Sequence, residues 1–273
     1  MTVATAGPGP RAGPARRHRR ARAALRRPAV IRVVSIGAVA AAWEVVARVL
    51  LPDSDYIAPP SQVVTTGLAF LGDRDTVHAL VVTTERFLLA FVIASVVGVV
   101  AGLALGRAGS YLPVARDVTS VVYALPLVPF YPLFVLWLGL GAPAEVAFGA
   151  VHGVLPVLLG TMAAAARVDR HLIEAAHAMG APRHRVLGSV LFPATLPDVV
   201  GALRIGAALC LLGVLLGQLM INVDGVGFVI NSLISNLRAP QLDAVILVVC
   251  VGAVCVNTVM TAAENRLSWW RRL

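Results

Sequence analysis

Residues 87–106 read FLLAFVIASVVGVVAGLALG, twenty consecutive residues without a charged side chain. A helix needs about 20 mostly apolar residues to cross the hydrocarbon core of a bilayer. The whole chain of 273 residues is 58% hydrophobic and only 14% charged, whereas a soluble domain carries about 25% charged residues. The run therefore predicts a membrane-spanning helix, and the composition predicts that others accompany it.

Five further apolar runs meet the same length criterion, so the sequence predicts an all-α polytopic membrane protein with six transmembrane helices. In the first span, Glu44 and Arg48 are four residues apart and are predicted to pair near the outer end. The predicted spans are 30–51, 87–106, the uncharged stretch between Asp117 and Glu145, 146–166, 199–221 and 244–263.

The segment before the first span has a different composition. Residues 1–29 are rich in Ala, Gly, Pro and Arg and cannot bury a core, which predicts a disordered basic cytoplasmic tail. Residues 30–273 are then the transmembrane domain. A cleaved signal peptide is the alternative, although the apolar stretch that follows is too long for a signal sequence.

The arginines predict the orientation of the chain, because positive residues concentrate on the cytoplasmic side. All 23 basic residues are Arg. If both termini are cytoplasmic, the segments on the extracytoplasmic side hold only Arg74, Arg86 and Arg238. We therefore expect a multi-pass protein of the plasma (inner) membrane with both termini inside. The net charge of +9 follows these segment ends and is no sign of nucleic-acid binding.

Glycines repeat every four residues in two of the spans. Gly98, Gly102 and Gly106 lie on one face of the second span, and Gly213 and Gly217 lie on one face of the fifth. Small residues at this spacing let two helix backbones approach closely in a membrane. Both faces are predicted to pack against other helices.

The loop between spans four and five, 167–197, is far longer than a helical hairpin needs. Asp169 is a candidate N-cap for an amphipathic helix, and Gly180 is in position to end that helix. A second short helix is expected over 183–191, with Pro193 and Pro197 breaking the chain before span five. The apolar face of the first helix is predicted to comprise Leu172, Ala175, Ala176 and Met179.

Such a loop has two interpretations. A surface helix, a glycine stop and a second helix form a knob that fits a groove on a partner protein. The alternative is a helix that lies flat on membrane lipid and is anchored by its arginines. The residue pattern by itself leaves both open.

Glu174-Ala175-Ala176, then Gly180-Ala181, then VLFPATLP at 190–197 resemble the EAA loop of the permease subunits of binding-protein-dependent ABC importers. The resemblance implies the type I importer permease fold, with the loop as a coupling helix that inserts into a cleft of the ATPase subunit. It implies that Glu174 fixes the loop by hydrogen bonding. The residues implied in ATPase coupling are Glu174, Ala175, Ala176, His177, Met179, Gly180, Ala181 and Arg183.

A narrower resemblance is to the nitrate, sulfonate and taurine permease group. It is carried by Pro126, by YPLFVLWLGLG at 131–141, and by Val226-Gly227-Phe228 in the loop after span five. Two residues depart from that group's pattern: Gln218 stands where an acidic residue is common, and Pro129 is an additional proline. Both departures lie where substrate passage is expected.

The resemblance implies a transport subunit without a cofactor or enzymatic activity of its own. The expected partners are an ATP-binding cassette ATPase subunit, an extracytoplasmic solute-binding protein and a second permease copy, most simply as a homodimer. The expected solute is a small anion such as taurine, another sulfonate or nitrate.

Polar groups and prolines within spans are candidates for the translocation path, because unpaired polar groups are costly in a membrane and bent helices line cavities. Hydrogen bonding between helices is the alternative for the polar ones. The candidates are Pro126, Pro129, Pro132, His152, Gln218 and Asn222.

Other function classes find less support in the sequence. No glycine-rich loop followed by Lys is present to hold ATP, and the histidines of the loop lack companions at metal-ligand spacing. A secondary transporter is expected to carry charges within its spans, but spans two to six hold essentially no acidic residue. A membrane-embedded enzyme needs a catalytic pair, which we do not find.

Overall fold

The computed structural model describes residues 30–31, 34–50, 57–221 and 223–267, with the backbone only at 183 and 267. These residues form helices and connecting turns, and no strand occurs among them. The expected tail, 1–29, lies outside the described residues. The helices are α1 (34–50, with the π-helical turn Val46–Leu50), α2 (Pro60–Phe70), α3 (Arg74–Gly106), α4 (Leu112–Ala124), α5 (Tyr131–Leu138), α6 (Ala142–Ala166), α7 (Arg170–Ala178), α8 (Arg183–Val186), α9 (Phe192–Met220), α10 (Gly225–Ser235) and α11 (Ala239–Leu267).

The chain divides into two compact units, residues 1–62 and 63–273. In the first unit the predicted pair in α1 is confirmed, because Arg48 Nε donates to Glu44 Oε1 at 2.5 Å. Ser61 completes the arrangement, since its backbone N–H donates to Glu44 Oε2 at 3.0 Å. The second unit contains the helical bundle.

Four described helices are long and apolar enough to cross a membrane, and a bent pair raises the number to five. They are α3, α6, the continuous run His184–Met220, and Ala239–Arg266. Each contains or overlaps one predicted span. The described part of the chain therefore supports a multi-pass membrane protein, and the count of six spans stays a prediction.

The predicted third span is bent, as its prolines indicate. The chain bends by 79° between Gly109–Ala124 and Val128–Leu138. The prolines explain the break, because proline lacks an N–H and disfavours helical backbone at the preceding residue. Pro126 lies in the break, Pro129 in the 3₁₀ turn that follows, and Pro132 in the first turn of α5.

The predicted break before span five is wrong. Pro193 lies in the first turn of α9 and Pro197 lies inside it, yet the helix continues from His184 to Met220. A π-helical turn at Leu187–Leu191 immediately precedes α9. Such wider turns change the hydrogen-bond register, so the missing proline N–H groups do not end the helix.

The predicted packing face of α3 is confirmed. Built on its backbone, a Cβ on Gly98 would lie 2.7 Å from Val157 Cγ1, and one on Gly102 would lie 2.6 Å from Thr161 Cβ. On Gly106 it would lie 2.6 Å from Ala165 Cβ. The three contacts advance along α3 and α6 together, so the two helices run parallel.

The glycine face of α9 packs on α6 and α5. Gly213 lies against Gly149 and His152, and a Cβ on Gly217 would lie 2.9 Å from Tyr131 Cε2 and 3.4 Å from Glu145 Cγ. The predicted packing role of this face is therefore also confirmed. Around these contacts a core of small and medium apolar side chains joins the three long helices, formed by Phe87, Ala90, Ala94, Val146, Ala150, Ala207, Cys210 and Val214.

Gly102→Ala is expected to destabilise the bundle by about 1–3 kcal/mol, because overpacking a tight contact forces backbone or side-chain shifts. The measurement is thermal unfolding of the purified chain in detergent. Gly252→Ala in α11 is the matched control, because a Cβ there meets no atom of the described chain within 4 Å. Equal melting of both variants would contradict this packing.

Candidate functional site

The helix of the long loop begins and ends as predicted. Asp169 is the N-cap of α7, and its carboxylate accepts from the backbone N–H of His171 at 2.9 Å. At the other end Gly180 has a φ of +79°, and the backbone N–H of Ala181 donates to the carbonyl of Ala176 at 3.0 Å. This pairing is a Schellman-type ending, in which glycine takes the left-handed backbone without steric cost.

The two faces of α7 differ from the expectation. Ala176 is only 5% exposed and Ile173 is half-buried, since these two side chains turn toward the rest of the bundle. Ala176, one of the residues on the predicted apolar face, is therefore covered by the rest of the described chain. Leu172, Ala175 and Met179, on the adjacent surface of the helix, remain exposed, Met179 at 82%. We call these three residues the docking face.

The remaining loop residues surround this helix. Glu174 accepts from Arg170 Nε at 2.6 Å, a bond within α7. His177 borders a groove of about 420 Å³ that is also lined by Leu103 and Arg107 at the end of α3. Ala181 follows Gly180 in the turn, and Arg183 begins α8. The loop is thus seated on the same end of the bundle as the carboxyl end of α3.

A buried ion pair lies at the other end of α3 and α6. Arg86 Nη1 donates to both carboxylate oxygens of Glu145, at 2.7 and 2.6 Å. Arg86 is 7% exposed and Glu145 is 0% exposed. Twenty residues of helix separate Arg86 from Gly106, about 30 Å at 1.5 Å per residue, which equals the thickness of the hydrocarbon core.

Gln218 of α9 joins this pair. Its Nε2 donates to Glu145 Oε2 at 2.9 Å, and its Oε1 accepts from Thr83 Oγ1 at 2.9 Å. Gln218 is 1% exposed, so its amide is satisfied entirely by protein groups. The side chain predicted to line the path therefore also links α9 to α3 and α6.

The start of α10 completes the arrangement. Asp224 Oδ2 accepts from Arg86 Nη2 at 2.7 Å. The backbone N–H of Val226 donates to Thr83 Oγ1 at 2.9 Å, and that of Gly227 donates to Gln218 Oε1 at 3.2 Å. Four helices thus meet in one hydrogen-bonded network. We call it the polar cluster, formed by Thr83, Arg86, Glu145, Gln218 and Asp224.

The polar cluster contains an acidic residue, Glu145, that the sequence places just before the predicted span 146–166. Glu145 lies in the first turn of α6 and is fully buried. In the sequence it bounds an apolar run, as Arg86 does, so the pattern places both residues at the membrane surface. The helices extend beyond the apolar runs, and the two ends meet. The sequence does contain an indication of this pairing, since Arg86 and Glu145, which flank the two apolar runs, have opposite charges.

The other candidate path residues are more scattered. Pro126, Pro129 and Pro132 are exposed along the bent segment. His152 is half-buried in α6, with Nδ1 2.9 Å from the carbonyl oxygen of Phe148 and its ring packed on the Phe148 ring. Asn222 lies outside the described residues. Among the described residues no group of three or more His, Cys, Asp or Glu side chains is placed to hold a metal ion.

Residues 94–269 match the family described as binding-protein-dependent transport system inner membrane component. The chain belongs to this family. It is therefore a multi-pass permease component of an ABC importer in the inner membrane, a class whose other members act with an ATPase and a binding protein.

Individual relatives agree with the family. The chain is 25% identical to the taurine transport system permease protein TauC of Escherichia coli (strain K12), over 90% of this chain and 91% of that protein. It is 24% identical to the putative aliphatic sulfonates transport permease protein SsuC of Bacillus subtilis (strain 168), over 85% and 84%. The resemblance to the nitrate, sulfonate and taurine permease group is confirmed.

The fold also matches a solved structure. A chain of the MetNI methionine ABC transporter, from a crystal form described as inward facing, superposes with a TM-score of 0.59 and 19% identity. The match covers 71% of this chain and 99% of that one. At this identity the likeness concerns the fold.

Arg86→Gln and Glu145→Gln are each expected to destabilise the protein by about 3–5 kcal/mol, because each leaves a buried charge without its partner. The double variant is expected to melt at a higher temperature than either single variant, since two neutral amides replace the ion pair. Thermal unfolding in detergent measures all three. Additive losses in the double variant would contradict a direct interaction.

Proposed function

We propose that this chain forms the translocation path of an ATP-driven importer for a small anion, such as taurine, another sulfonate or nitrate. In this proposal both termini are cytoplasmic, six helices cross the membrane, and two copies of the chain work together. The names of TauC and SsuC as taurine and sulfonate transport permeases, and the matches over 90% and 85% of this chain, support the solute class.

We further propose that 167–197 couples the chain to a separate ATPase subunit. The observation that carries this proposal is the exposure along α7: Ala176 and Ile173 are covered by the rest of the described chain, while the three side chains of the docking face are exposed. Leu172, Ala175 and Met179 are small or flexible apolar residues on adjacent turns. Such a face suits an apolar cleft in a partner protein, the helix-in-groove mode of binding.

The connection from the loop to the bundle supports a mechanical role. Residues 184–220 form one helical run of 37 residues, about 55 Å long at 1.5 Å per residue. A displacement of the loop therefore moves α9 along its whole length. The far end of α9 carries Gln218, which bonds to Glu145 and to the start of α10.

The transport cycle follows from this connection. ATP binding closes the ATPase dimer and draws the two docked loops together. Because each loop continues into α9, the motion reaches the polar cluster and opens the path toward the binding protein. This chain hydrolyses nothing in the proposed cycle; it converts the motion of its partner.

Met179→Glu is expected to weaken co-purification with the cognate ATPase subunit by about tenfold or more, because a carboxylate loses hydration in an apolar cleft. Leu237→Glu is the matched control, since Leu237 is also an exposed apolar side chain, at 71%, but lies between α10 and α11. If the ATPase retains both variants equally, α7 is not the docking helix.

The proposed orientation is tested by labelling single cysteines in intact cells. With the exposed Cys250 and Cys255 replaced by Ala and the buried Cys210 kept, Leu237→Cys is expected to react with a membrane-impermeant maleimide from outside. Met179→Cys is expected to react only after the membrane is permeabilised. The reverse pattern would invert the topology.

A further inference from the structure

Asp224 differs from the rest of the polar cluster in how weakly it is held. Its side chain is 38% exposed, whereas those of Arg86 and Glu145 are 8% and 0% exposed. Asp224 Oδ2 bonds to Arg86, but Oδ1 is buried without a hydrogen-bond partner among the described residues. A carboxylate bound through one oxygen, with the other desolvated, is incompletely satisfied.

Asp224 also forgoes the bond that its position favours. It is the N-cap residue of α10, yet its side chain makes no capping bond, although Asp is among the preferred capping residues. The N–H that it would reach, on Gly227, is bonded to Gln218 instead. The N–H of Val226 is likewise bonded to Thr83, so Arg86 is the group that holds the Asp224 side chain among the described residues.

Arg86 does not depend on Asp224 to stay in place. Its Nη1 is held by both oxygens of Glu145, which is fully buried and is itself held by Gln218. When Asp224 leaves, Nη2 becomes a vacant donor on a fixed guanidinium. The vacated position is defined by the present contact, 2.7 Å from Nη2.

The charges of the cluster limit what can replace Asp224. Arg86 and Glu145 neutralise each other, and Asp224 adds one negative charge. A singly charged oxyanion in the same position keeps this balance and accepts from the same N–H, since guanidinium groups bind carboxylate and similar oxyanions through paired donors. A solute without an anionic group does neither, whereas the sulfonate group of taurine or ethanesulfonate does both.

We propose that Arg86 binds the anionic group of the transported solute, and that Asp224 occupies this subsite while the path is closed at this end. Opening moves the start of α10, Asp224 withdraws, and the oxyanion of the solute takes its place on Nη2. The solute class rests on the proposed function above. Asp224 thus acts as an internal competitor that keeps the buried guanidinium paired between transport cycles.

Asp224→Ala tests the proposal by removing the competitor. The permease–ATPase complex is purified without binding protein and without nucleotide, so that Asp224 occupies the subsite in the unaltered complex, and is titrated with radiolabelled taurine and, separately, with radiolabelled ethanesulfonate. We expect the variant to bind at least one of them about tenfold more tightly than the unaltered complex, in line with one hydrogen bond to a charged group. Because Asp224 makes no cap bond, the variant is expected to fold.

Two further variants separate this site from general electrostatics. Glu85→Gln removes a negative charge from an exposed neighbour on α3 and is expected to leave binding unchanged. Adding Arg86→Gln and Glu145→Gln to Asp224→Ala keeps the charge balance of the buried pair. This triple variant is expected to lose the gain in solute affinity that Asp224→Ala produces alone. An equal gain in Glu85→Gln, or no gain for either solute in Asp224→Ala, overturns the proposal.

The subsite and the proposed function fail separately. Uptake of taurine, ethanesulfonate and nitrate by the complete unaltered importer in proteoliposomes tests the function. If Asp224→Ala tightens binding but none of these solutes is imported, Arg86 is an anion site, but its role in transport and the proposed solute class are wrong. If an anion is imported but Asp224→Ala changes nothing, the proposed function stands and the subsite is wrong.

Discussion

The parallel register of α3 and α6 is the constraint on which the rest of the bundle depends. Gly98 meets Val157, Gly102 meets Thr161 and Gly106 meets Ala165, and each pair is separated by 59 positions in the chain. Arg86 and Glu145 are separated by the same 59 positions. One alignment of two helices therefore sets both the close backbone contact along their length and the buried ion pair at their end.

This shared register makes the two features mutually dependent. The glycines bring the backbones close enough for a short pair such as 2.6 Å between Arg86 Nη1 and Glu145 Oε2. The ion pair in turn penalises any slide of one helix past the other, because a shift by one turn leaves a buried charge unpaired. Lipid supplies no strong hydrophobic drive between helices, and the ion pair therefore fixes the axial position of α3 against α6.

Features governed by short-range pattern were predictable from the sequence. The helix between Asp169 and Gly180, the glycine faces and the pair of Glu44 with Arg48 each depend on residues within one or two turns. The sequence was less informative where contacts with distant segments decide the structure. The burial of Ala176 depends on what packs beneath α7. The continuation of the helix through Pro193 depends on a π turn that no simple rule anticipates.

The polar cluster shows the same limit most clearly. Its members come from four helices, and each of them borders or interrupts an apolar run, so a search for spans treats them as boundaries. The sequence marks Gln218 as a polar residue within an apolar span, but it does not indicate which residues bind it. Only the register of α3 on α6, together with the return of α9 antiparallel to them, brings Glu145 within 2.9 Å of Gln218.

The unbroken helix from His184 to Met220 also limits which insertions and deletions the gene can tolerate. In an α-helix each added residue turns everything beyond it by about 100°. A single-codon insertion or deletion within α9 would rotate Gln218 away from Glu145 relative to the loop at the other end. The π turn at Leu187–Leu191 already holds an extra residue per turn, so length variation among related chains is expected to concentrate there and to be excluded from α9.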